Sequence, residues 1–133
     1  VTEESQGAGV GVAPIRVLIA DDHALFRRGL GMVLKEEPGI ELVGQASDGT
    51  EAVQMADEKR PDVVLMDIRM PKITGIEAAR QIKKAVPSAK IVMLTISDGE
   101  EDRFEAIRAG ASGYLLKDIP LDEVAEAVRA LIK

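Results

Sequence analysis

The 133-residue chain carries 23 acidic and 17 basic residues, a formal net charge of −6, and no cysteine or tryptophan. That length fits one domain with a real apolar core, and the missing cysteine excludes a disulfide framework or a thiolate zinc site and fits a reducing, cytoplasmic setting. Basic residues are spread thinly among the acids and Phe26, Phe104 and Tyr114 are the only aromatics, so there is neither a phosphate-binding face nor a platform for stacking bases, and this chain alone is a poor nucleic-acid binder.

Residues 1–14, "VTEESQGAGVGVAP", lack periodicity and read as a flexible tail. The "GAGVG" inside precedes the first strand instead of following one, so it offers no helix N-terminus to a pyrophosphate. No apolar run reaches the length of a bilayer span, no secretion-signal pattern stands at the start, and no membrane partner is expected.

The first β-branched run, "IRVLIA" (15–20), ends directly in Asp21 and Asp22. Two adjacent carboxylates repel, and each favours water or a cation. A helical pattern follows at 24–36, with Phe26, Leu30 and Val33 as its buried stripe, Asp22 as a candidate cap and His23 as a helix-start residue. Gly29 and Gly31 weaken that helix by roughly 1 kcal/mol each relative to Ala, for which close helix packing is the candidate reason.

Then come "IELVGQA" (40–46), a helix at 50–59, "DVVLMD" (62–67) ending in Asp67, and a helix at 74–85. "KIVMLT" (90–95) ends in Thr95, a helix covers 100–109, "GYLLK" (113–117) ends in Lys117, and Leu121, Val124, Ala125, Val128, Leu131 and Ile132 mark a last helix at 121–132. Pro38-Gly39 and Asp48-Gly49 mark turns, Pro87 closes the third helix and Gly110 stops the fourth.

Five such units with continuous apolar strands predict an α/β fold: a doubly wound (βα)5 flavodoxin-like parallel sheet, strand order 2-1-3-4-5, helices on both faces, with the least apolar second strand at an edge. Ligands of such sheets bind beyond the strand C-termini where the order reverses, here between strands 1 and 3. Asp21, Asp22, Asp67, Thr95 and Lys117 all arrive at that end. Three carboxylates there call for a cation, and hard oxygen ligands with open positions suit Mg²⁺, with Mn²⁺ as an alternative. Mg²⁺ beside a carboxylate, a hydroxyl and an ammonium is equipment for phosphoryl transfer. Asp67, central in the sheet, is the candidate acceptor, Asp21 and Asp22 the metal holders, and Thr95 and Lys117 the phosphate contacts.

"IADDH" (19–23), "DVVLMDIRMP" (62–71), "LTISD" (94–98) and "GASGYLLKD" (110–118) together resemble the receiver domain of bacterial two-component response regulators over residues 15–132, and "DDH" with Lys117-Asp118 resembles the NarL/FixJ (LuxR-type) subfamily. The resemblance implies a receiver spanning 15–133 that takes a phosphoryl group on Asp67 from a sensor histidine kinase. It implies a metal held by Asp21, Asp22, Asp67 and the backbone carbonyl of Arg69. Thr95 then moves toward the phosphate, Tyr114 turns inward, and the fourth-helix to fifth-helix face recruits a partner or a second copy, giving a phosphorylation-dependent homodimer. Arg69 and Ser97 resemble positions that tune hydrolysis of the acyl phosphate. Most receivers carry proline after the lysine; Asp118 stands there instead, so no cis peptide is carried over. The subfamily usually continues into a DNA-binding helix-turn-helix domain, so the chain is expected to be a piece of a longer transcription regulator.

Rival functions are weaker. A phosphatase with an aspartyl-phosphate intermediate normally needs a second Asp where Arg69 stands, and Asp21-Asp22 would repel a flavin phosphate. The remaining alternative is a degenerate or free-standing receiver acting only as a protein-interaction module; the five intact site residues argue against it.

Overall fold

The computed structural model describes residues 13–96 and 99–132. The proposed tail therefore lies almost wholly outside the described residues, as does Ser97. Strands β1 (Ile15–Ala20), β2 (Ile40–Ala46), β3 (Val63–Asp67), β4 (Lys90–Thr95) and β5 (Gly113–Leu116) alternate with helices α1 (Ala24–Glu36), α2 (Gly49–Lys59), α3 (Gly75–Ala85), α4 (Glu100–Arg108) and α5 (Leu121–Ile132). The sheet is parallel throughout with the order β2-β1-β3-β4-β5, as the sequence predicts. None of the described helices is long and apolar enough to cross a membrane.

Strand periodicity splits the core into two layers. Leu18, Val64, Met66, Ile91 and Met93 face Ala52, Ala56, Ala78, Ala79, Ile82 and Ala106, the inward stripes of α2, α3 and α4. Val17, Ile19, Val63, Leu65, Val92 and Leu94 face Leu30 and Leu34 of α1 and Val124, Ala125 and Val128 of α5. Every residue of β3 is buried, whereas β2 is mostly half-buried, which matches a central strand covered on both faces and a strand at the sheet edge. Burying one leucine in such a layer contributes about 1.5–3 kcal/mol.

The register sets up the C-terminal edge. Ala20 pairs with Met66, which brings Asp21 level with Asp67, and Asp67 pairs with Leu94. Thr95 pairs with Leu116, one step before Lys117. Since Asp21 and Asp67 continue the Val17–Ile19 and Val63–Leu65 alternations, both belong to the α1/α5 side.

Asp48 lies in the bend that links β2 to α2 and also caps α2, accepting the Glu51 amide at 2.8 Å, while Glu51 accepts the Ser47 amide at 2.7 Å. Asp22, the expected candidate cap, does not cap α1. The cap position is His23, whose side chain makes no capping bond. Thr74 lies outside α3 and caps it through the Glu77 amide at 3.2 Å. Gly110 ends α4 in the left-handed region at φ +109°. Of the two α1 glycines, Gly31 is explained by close packing, since a Cβ there would meet Gln45 Nε2 at 2.6 Å; Gly29 is not. Leu34 joins the α1 stripe fully buried, while Phe26 and Val33 are half-buried. No peptide bond among the described residues is cis.

Candidate functional site

Asp21 and Asp67 leave their strands fully enclosed, at 0% and 4% exposure, and Thr95 is equally buried. Such carboxylates need compensation, and Lys117 provides it from the loop after β5. Its ammonium lies 2.7 Å from Asp21 Oδ2 and 3.2 Å from Asp67 Oδ2. Its backbone amide is tied to the Thr95 carbonyl at 2.9 Å. Its Nζ also sits over the Phe26 ring of α1, 4.6 Å from the centroid, a cation–π contact within the range that stabilises. Lys117 begins just past the end of β5, so it reaches back across the strand ends to the acids.

Asp21 is held on its other side by the main chain. Its Oδ1 accepts the His23 amide at 2.9 Å, and its carbonyl accepts Arg27 Nη1 at 2.7 Å. Oδ2, despite the adjacent ammonium, makes no hydrogen bond. A buried carboxylate oxygen in that condition keeps lone pairs for a further cation. Burial pushes the Asp67 carboxyl above its usual range; the Asp21 charge adds to this, and Lys117 and the Arg69 amide oppose it.

One ligand atom from each of Asp21, Asp22, His23 and Asp67 lies within 4.8 Å of all the others. Asp22 stands exposed at the rim, 3.7 Å from His23 Nδ1. Three carboxylates so close together, one with an oxygen that makes no hydrogen bond, fit a hard divalent cation that keeps several waters.

The geometry thus unites Asp21, Asp22, Asp67 and Lys117, with Thr95 on the next strand end. The Arg69 main chain touches Asp67, but its side chain turns away to Asp102 of α4, Nη2 to Oδ2 at 2.9 Å. Tyr114 lies apart, half-buried on β5 opposite Met93, with the Arg103 guanidinium 4.9 Å from its ring centroid.

Two residues go beyond what the sequence marks. The sequence places His23 at the helix start, and its ring joins the acids. Gly75 opens α3 against the site: its amide bonds the Ile68 carbonyl at 2.7 Å, and a Cβ there would fall 2.0 Å from the Asp67 carbonyl oxygen. A glycine after a capping threonine carries no sequence signal for that approach.

Residues 17–129 match the response regulator receiver domain family. The uncharacterized transcriptional regulatory protein YxjL of Bacillus subtilis is 48% identical over 116 residues, which are 87% of this chain and 53% of the relative. The chain thus spans about half the length of that curated relative. Among solved structures, a LuxR-family two-component response regulator from Aurantimonas superposes with a TM-score of 0.83 at 34% identity, covering 90% of this chain and 85% of that one. A chain of the CheX–CheY–BeF3–Mg²⁺ complex from Borrelia burgdorferi gives a TM-score of 0.84 at 27% identity, covering 91% of each.

Proposed function

The chain belongs to the response regulator receiver domain family, regulatory phosphoacceptor domains of two-component signalling, and on that footing we propose that Asp67 is its phosphoacceptor. The observation that carries the proposal is the Asp67 carboxylate itself: buried, central in the sheet, and 3.2 Å from an ammonium it shares with Asp21.

Receiver domains of this family act with histidine kinases. In the proposed step an Asp67 oxygen attacks the phosphorus of the kinase phosphohistidine. The phosphorus–nitrogen bond breaks, its electron pair returns to the imidazole, and an acyl phosphate remains on Asp67. Asp21, Asp22, Asp67 and the backbone carbonyl of Arg69 would hold Mg²⁺, with Mn²⁺ as a substitute. The cation, when bound, neutralises charge on the transferred oxygens. Lys117, already beside Asp67, meets one phosphoryl oxygen as a point charge, and the Thr95 hydroxyl donates to another.

Withdrawal of Thr95 toward the phosphate leaves room for Tyr114 to turn inward from beneath Arg103. That shifts a population between two packings, biased by the new phosphate contacts. The output face is α4, β5 and α5, where Phe104 and Ile107 stand 60% and 61% exposed. An apolar patch of that kind favours a partner or a second copy once the switch is set. The same site assists loss of the phosphoryl group to water, with Arg69 tuning the rate. The setting proposed is cytoplasmic, within a longer transcription regulator that reaches DNA through a further C-terminal domain. The transcriptional regulatory relative, of which the matched segment covers 53%, supports this.

The test is intact-protein mass after incubation with a small-molecule phosphodonor and Mg²⁺. Wild type gains one phosphoryl group and Asp67→Asn gains none; stoichiometric labelling of the variant at another residue overturns the assignment.

A further inference from the structure

We propose that His23 supplies a nitrogen ligand to the carboxylate site, so that the site takes divalent transition metals, Mn²⁺, Co²⁺ and Zn²⁺, more tightly than Mg²⁺. This rests on the reading of Asp21, Asp22 and Asp67 as a cation site and goes beyond it.

The geometry points to coordination. His23 Nδ1 lies 3.6 Å from Asp21 Oδ1 and 3.7 Å from Asp22 Oδ1. Ligand atoms at about 2.0–2.2 Å from one cation stand roughly 3 Å apart, so only a few tenths of an ångström separate this arrangement from a coordinated one. The ring is 69% exposed and free to make that adjustment.

The backbone is not free. The His23 amide donates to Asp21 Oδ1 at 2.9 Å and its carbonyl accepts the Arg27 amide at 2.9 Å. Residue and carboxylate are therefore locked together at the mouth of the pocket. His23 occupies the α1 cap position without a capping bond from its ring.

An independent observation comes from the floor of the same pocket. Asp21 is fully buried, and its Oδ2, paired with the Lys117 ammonium at 2.7 Å, makes no hydrogen bond. An oxygen donor below and an imidazole at the rim form a mixed set. Carboxylate oxygens alone suit Mg²⁺, whereas a nitrogen donor shifts preference toward the later first-row ions. The consequence is a receiver site whose occupancy responds to transition-metal supply as well as to Mg²⁺.

Because His23 is the single histidine in the sequence, the test is clean in protein free of a polyhistidine tag. Mn²⁺-loaded wild type examined by pulsed electron paramagnetic resonance is expected to show hyperfine coupling to one directly bound imidazole nitrogen, lost in His23→Ala and His23→Gln. Calorimetric titration should show that both variants bind Mn²⁺ and Zn²⁺ at least about tenfold more weakly, the lower end of what even outer-shell changes cost, and that this loss exceeds any loss of Mg²⁺ affinity. Nitrogen coupling absent while all three cations bind wild type and variants alike overturns the His23 role and leaves the carboxylate site standing. Failure of every cation to bind wild type overturns both.

Discussion

Replacing Lys117 by Met keeps an unbranched stem but removes the ammonium from between Asp21 and Asp67. At an effective dielectric of about 20, unit charges at the observed 2.7 and 3.2 Å attract by roughly 6 and 5 kcal/mol. Desolvating three ionised groups offsets most of this, and breaking a buried pair by deleting one partner typically costs about 3–5 kcal/mol. Asp67 has an escape, since its carboxyl is already raised by burial and can take up a proton. The expected net loss is therefore at the lower end, about 3 kcal/mol near neutral pH without divalent cation.

The sign of the pH dependence follows from the same group. A carboxyl whose folded pKa exceeds its unfolded one favours the fold most below the unfolded pKa, and that favour is lost as pH rises through the folded pKa. Without Lys117 the folded pKa of Asp67 rises further, because its largest opposing influence is gone. The variant should approach wild type toward about pH 5 and fall away above it. Urea unfolding followed by circular dichroism, with chelator, at both pH values reads this directly. A loss under about 0.5 kcal/mol near neutrality, the size of an exposed pair, or an equal loss at both pH values, would refute the assignment of Lys117 as counter-charge to two enclosed acids.

Asp67→Asn removes a carboxylate that burial disfavours, so in chelator at neutral pH it should raise stability; a lowered melting temperature would contradict the pKa direction. Saturating Mg²⁺ should reverse that ranking, since cation at about a hundredfold its Kd adds about 2.7 kcal/mol to a protein that binds it, and a Mg²⁺-insensitive wild-type melt would count against the site. Gly75→Ala would set a Cβ 2.0 Å from the Asp67 carbonyl oxygen; displacing α3 should cost about 1–3 kcal/mol in denaturant melts and slow labelling of Asp67, and a neutral variant would mean the helix start yields freely. Arg69→Ala deletes a pair whose arginine is 69% exposed, so its stability should stay within about 1 kcal/mol of wild type.

The sequence made the sheet legible because each strand is a short apolar run bounded by turn residues, and boundaries agree to within a residue. It made Asp21, Asp67, Thr95 and Lys117 legible for a related reason. Once strand order is fixed, the first polar residue after each run has one place to go. Contacts that depend on how loops and helices meet left no periodic trace. The Arg69–Asp102 pair joins positions 33 apart, and Gly75 is dictated by a carbonyl eight residues upstream. Asp48 and Asp22 show the limit for a single residue type: aspartate favours caps, turns and metal sites alike, and only geometry separates a capped α2 from an uncapped α1.

The placement of charge also bears on why a switch would form here. Two enclosed carboxylates share one ammonium and a third stands at the rim, so the pocket is short of positive charge however its proton is placed. Apolar side chains of similar volume would usually serve stability better than such a cluster. The apolar layers on both sides of β3 support the excess. On the proposed reading, a bound divalent cation would first relieve it. Phosphorylation of Asp67 would then replace one carboxylate charge with a group carrying about −1.5 to −2 and three strong acceptor oxygens. That renewed demand falls on the nearest donors, Lys117 and Thr95, both set at the ends of strands bordering the α4 and β5 face. On that reading a rearrangement of that face would follow from charge balance, carried by the movements proposed for Thr95 and Tyr114.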